Sequence, residues 1–73
     1  MPYVNIRVTR EGVTAAQKLA LIEGTTDLLQ RVLNKSPQST FVVIDEVDTD
    51  NWGWGGEAVT TLRQREAAGK ERA

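Results

Sequence analysis

The chain has 73 residues, with 9 Lys and Arg against 10 Asp and Glu, a formal net charge of −1, and neither cysteine nor histidine. Disulfides and the commonest zinc sites are thereby excluded, and a balanced charge without a basic stripe argues against nucleic acid as the main partner. A single domain this small is marginal without help, which leaves oligomerisation as the remaining source of stability. No apolar run approaches the ~20 residues of a membrane span, and the N-terminus lacks the apolar core of a signal peptide. The expectation is a soluble cytoplasmic protein with no membrane partner.

Met1-Pro2 stands directly ahead of a strand. Once Met1 is removed, the Pro2 ring nitrogen becomes a secondary amine. An α-amino group has an ordinary pKa of roughly 7.7–8.0. An apolar pocket disfavours the charged form and lowers that value, towards the range where a general base works best. Pro2 is therefore a candidate catalytic base. Tyr3 to Thr9 alternates, with Val4, Ile6 and Val8 on one face and Tyr3, Asn5, Arg7 and Thr9 on the other, which predicts a strand with one buried face. Arg10-Glu11-Gly12 breaks it.

Thr14-Ala15-Ala16-Gln17 matches a capping box, and a helix is predicted from about Ala15 to Leu33. Its apolar positions form two neighbouring stripes, one of Leu19, Ile22, Leu29 and Leu33 and the other of Leu21, Leu28 and Val32. A lone two-stranded sheet is too small to cover so broad a face, so burial against another chain is expected. Asn34 supplies the stop, and Ser36-Pro37 fixes a turn. Thr40 to Val47 is the second strand; its continuous apolar core, Phe41 to Ile44, predicts cover on both faces. Strand, helix and strand make an α/β arrangement, a β-α-β unit with two parallel strands and a right-handed crossover. Two such units pairing edge to edge would make a four-stranded sheet.

Asp48 to Asn51 reads as an acidic turn, Glu57 to Leu62 as a short strand or extended arm, and Gln64 to Ala73 as a frayed helix or disordered tail. Asp45, Glu46, Asp48 and Asp50 lack the spacing and terminal Glu of a calcium loop. Ser36 and Ser39 have no base partner, and the Gly-rich segment lacks a phosphate-binding spacing. Trp52 and Trp54, set among Gly53, Gly55 and Gly56, fit either a subunit interface or the wall of an apolar pocket; pattern alone leaves both open.

An N-terminal proline on a strand, a capped helix carrying Gln17-Lys18, a strand ending Ile44-Asp45-Glu46 and the segment Trp52 to Glu57 follow one another within about 60 residues. In this order they resemble the 4-oxalocrotonate tautomerase family. The resemblance covers Pro2 to roughly Arg65, so residues 1–65 would form the domain and 66–73 a charged, flexible tail. It implies a β-α-β fold, dimers assembling into a hexamer, no cofactor, and a proline base that moves a proton between carbon and oxygen of an enol or keto acid. Carried over, Pro2 matches the base, Trp52 a pocket-lining phenylalanine, Trp54 an apolar neighbour and Arg63 an arginine close to the site.

Two family arginines that bind the substrate's carboxylates fall on Val13 and Phe41. Arg10, displaced by one extra residue, stands near the first gap and joins Arg63 as a candidate anion anchor, since Arg binds carboxylates with two prongs. The wall of Val13, Phe41, Trp52 and Trp54 suits an apolar or monoanionic enol, such as an arylpyruvate, better than a dianion. The rivals are a non-catalytic oligomer of the same fold, and a superfamily dehalogenase, hydratase or decarboxylase.

Overall fold

The alternation at the N-terminus produces β1 (Tyr3–Thr9), in which Val4, Ile6 and Val8 are half-buried while Tyr3, Asn5 and Arg7 are exposed. This computed structural model describes residues 1–72, with side chains described through Gly69. The helix α1 (Ala15–Leu33) starts at Thr14, whose hydroxyl accepts from the Gln17 amide at 3.1 Å while the Gln17 side chain accepts from the Thr14 amide at 2.9 Å. It stops at Asn34, held in the left-handed region at φ 56°, where the short polar side chain is tolerated. One turn of 3-10 helix, Pro37–Ser39, capped by Ser36, leads to β2 (Phe41–Val47).

β1 and β2 pair in parallel, with Val4 opposite Val42, Ile6 opposite Ile44 and Val8 opposite Glu46. Opposed residues share a face of the sheet, and Lys18 of α1 reaches Glu46 at 2.5 Å, which marks this face as the one that α1 covers. Tyr3, Asn5 and Arg7, with Phe41, Val43 and Asp45, make up the other face; Asn5 and Arg7 donate to Asp45 at 2.9 and 3.4 Å.

Cover on both faces of β2 is therefore not found within one chain. Phe41 is 50% exposed and Val43 is also open to solvent, because the connection carries a single helix and a single helix covers one face. Glu57 to Leu62 likewise departs from the expected strand or arm: only Glu57–Ala58 is extended, as β4, paired antiparallel with β3 (Gly53–Trp54). The two-residue loop Gly55-Gly56 has φ of 64° and 83°, the left-handed pair that the tightest hairpins require. From Val59 the chain is helical, as α2 (Val59–Arg72). The expected flexible tail, 66–73, has its backbone in α2 as far as Arg72; Ala73 and the side chains beyond Gly69 lie outside the described residues.

Val59 is the one buried hydrophobic residue among those described, at 8% exposure. The accessible surface is 5608 Å², against roughly 4,500 Å² for a compact monomer of this mass. The radius of gyration is 16.7 Å, where about 11 Å is usual for this length. Leu21, Leu28, Val32 and Leu33 of α1 are among the apolar side chains left open. Among the described residues no helix is long and apolar enough to cross a membrane.

Candidate active site

An open cleft of about 820 Å³ lies where the C-terminal end of β1 meets the hairpin and α2. Val8 and Thr9 of β1, Trp52 and Trp54 of the hairpin segment, and Val59, Leu62 and Arg63 of α2 line it. The segment before the hairpin is tied down at both ends. Asn51 donates to the Asp48 carbonyl at 2.8 Å, and the Val59 amide donates to the Trp52 carbonyl at 2.7 Å. Thr60 adds side-chain bonds to Thr49, at 2.6 Å, and to Asp50. Trp52 is held half-buried by these bonds, whereas Trp54 is 74% exposed. Trp52 also borders a smaller depression beside Arg7 and Val47.

The residues singled out from the sequence divide into two groups. Trp52, Trp54 and Arg63 come together in the cleft. Pro2 and Phe41 come together elsewhere, at the opposite end of the sheet, where the Phe41 amide donates to the Pro2 carbonyl at 3.0 Å. Pro2 and Val8 are separated by the length of β1, about 20 Å at the usual rise per strand residue. Arg10 and half-buried Val13 sit in the connection from β1 to α1. Within one chain, the candidate base and the aromatic cleft do not meet.

Neither anion anchor is unpartnered. The Arg10 Nε lies 3.0 Å from the Asp48 carboxylate, and its Nη2 donates to the Glu46 carbonyl at 3.3 Å. Arg63 donates through Nε and Nη2 to the two carboxylate oxygens of Glu11, at 2.9 and 3.4 Å, and through Nη1 to Glu66 at 3.2 Å. Arg65, also on the cleft, pairs with Glu57. The Thr9 hydroxyl and then Arg63 hold the Glu11 carboxyl below its ordinary range, and Glu11 followed by Glu66 raises Arg63. Lys18 does the same for Glu46, and Asn5, ahead of Arg7, for Asp45. Asp45, Glu46, Asp48 and Asp50 thus each have a structural partner. No group of carboxylates among the described residues is arranged to hold a metal ion.

Sequence reading missed Val59, Leu62 and Glu11. Val59 and Leu62 are spaced as one face of a helix, a signal that β-branched Val59-Thr60-Thr61 obscures. Glu11 and Arg63 are 52 residues apart in sequence, and no local pattern joins them.

The family described as tautomerase enzyme matches residues 2–62, beginning at Pro2 and running through β1, α1, β2 and the hairpin. The chain belongs to the tautomerase family. It is 62% identical over 65 residues to the protein called probable tautomerase K2 of Dickeya dadantii, covering 89% of this chain and 97% of that one. The crystal structure of DmpI from Helicobacter pylori is similar in shape, with a TM-score of 0.80 and 52% identity over 86% of this chain and 97% of DmpI. A 4-oxalocrotonate tautomerase isozyme from Methylibium petroleiphilum gives a TM-score of 0.75 at 33% identity, over 84% and 97% of the two chains. The resemblance read from the motifs and the β-α-β fold it implied both hold, and membership of the tautomerases supports tautomerase activity in general.

Proposed function

We propose that the chain, once Met1 is removed, is an isomerase that uses the Pro2 ring nitrogen as general base on an enol or keto acid. The neutral amine takes the enol O–H proton, and the electrons of that bond become the carbonyl π bond. The alkene π pair then takes the proton back at carbon. Atoms and charge balance with no redox or group-carrying cofactor. The observation that carries the reading is that the family match begins at Pro2 itself, which is half-buried beside aromatic Phe41.

The distance between Pro2 and the cleft supports a site shared between chains. Two β-α-β units related by a two-fold axis, paired edge to edge, set the N-terminal end of one sheet beside the C-terminal end of the other. One chain then contributes Pro2 and Phe41, and its partner contributes Trp52, Trp54 and Arg63. The large open surface and the uncovered apolar faces of α1 and β2 support such a homo-oligomer, of dimers that go on to a hexamer. With Val13, Phe41, Trp52 and Trp54 as its wall, the site suits an aryl enol bearing one carboxylate, as in an arylpyruvate. Among the described residues anchors for a second carboxylate are wanting, and an unpaired buried carboxylate is costly.

Mass spectrometry can sort preparations that have lost Met1 from those that retain it. Ketonisation of phenylpyruvate enol, followed by absorbance, is expected to be accelerated by the first and not by the second, because a nitrogen in a peptide bond accepts no proton. Equal acceleration by both would remove Pro2 from the chemistry and favour a scaffold role for the strand start.

A further inference from the structure

We propose that Glu11 is a specificity-determining residue of the cleft: it occupies the two-pronged edge of Arg63 and so sets the site against ligands of high negative charge. The inference rests on reading the cleft as the substrate site. Arg63 lines the cleft and Glu11 does not, yet both oxygens of Glu11 are spent on the Nε and Nη2 of Arg63. That edge is the one that would grip a ligand carboxylate in parallel bonds. The remaining terminal nitrogen, Nη1, already donates to Glu66, and neighbouring Arg65 is engaged by Glu57. Among the described residues around the cleft, two guanidinium groups therefore face three carboxylates, with no positive charge left over for an incoming anion.

In the single chain the side chains of Arg63 and Glu11 are 51% and 41% exposed, and an exposed ion pair is held weakly, so a ligand can exchange with Glu11. A single ligand carboxylate can take the place of Glu11 on Arg63, leaving the cluster's net charge to rise by one negative unit. A second ligand carboxylate meets only the displaced Glu11 and Glu66. Glu11 thus acts as an internal competitor whose removal favours anions in general and dianions most.

Phenylacetate and phenylacetamide, equal in shape and unequal in charge, test this by NMR titration of the Trp52 and Trp54 indole signals in the assembled protein. Glu11→Gln is expected to tighten phenylacetate about two- to five-fold, the scale of one exposed ion pair, and to leave phenylacetamide unchanged. Adding Arg63→Gln is expected to abolish that gain. An acid-to-amide ratio unmoved by Glu11→Gln, with absence of binding in every variant counted as unmoved, overturns the proposal. So does a gain that survives without Arg63, or equal tightening of both probes. Neither probe is turned over, so an inactive protein would refute the isomerase reading without deciding this one.

Discussion

Replacing Pro2 with alanine is expected to lower kcat/KM for enol ketonisation by about 10²–10⁴-fold, the usual contribution of a positioned general base. Alanine in second place leaves Met1 just as removable, so wild type and variant can be compared as processed chains. The variant keeps a terminal amine but loses the ring that fixes its direction. Misplacing a reacting group by about 1 Å is enough to cost on the order of 10²-fold. The Pro2 carbonyl still accepts from the Phe41 amide in the variant, so strand pairing and assembly should be unaltered, and sedimentation can verify this. Equal rates in the two proteins would show that the proline ring contributes nothing to the proton transfer.

The second large effect is expected at a distance from Pro2. Leu28 and Val32 lie one helical turn apart on α1, and Val32 is 68% exposed in the single chain. If the site is completed by a partner, the double variant Leu28→Asp/Val32→Asp should dissociate the assembly and abolish activity together. Burial of a Leu or Val side chain contributes about 1.5–3 kcal/mol, so the two positions together represent about 3–6 kcal/mol per chain before any cost of burying a charge is added. Light scattering after gel filtration, with activity read across a dilution series, measures both outcomes. A dissociated variant with full activity would show that one chain holds a complete site.

The limits of α1 could be read in the sequence because they are decided locally, by the Thr14–Gln17 capping box and by Asn34 in its left-handed conformation. The strands could be read because alternation in β1 and the apolar run of β2 are local as well. α2 could not. Val59, Thr60 and Thr61 are β-branched and favour strand. Helix begins there because the Val59 amide is taken by Trp52 and the Thr60 hydroxyl by Thr49 and Asp50, partners that lie across the hairpin.

The same distinction governs the site. Trp52 and Trp54 were singled out by their pattern and Arg63 by the family resemblance, and the structure sets all three along one cleft. That Pro2 lies at the far end of β1 follows from the direction of the strands, and that Arg63 is already held by Glu11 follows from tertiary folding. Arg10 and Arg63 looked like free anchors only because their carboxylate partners are invisible in a list of residues.

The account depends most on the Pro2 amine being uncharged at the pH where the protein works. Titration of that amine by ¹⁵N NMR, in processed and assembled protein labelled at proline, measures this directly. A pKa clearly below that of an unstructured peptide beginning with proline, towards neutrality, is the result predicted for a base desolvated in an apolar subunit junction. A pKa equal to the peptide's would mean that the nitrogen stands in open solvent, and would contradict the account.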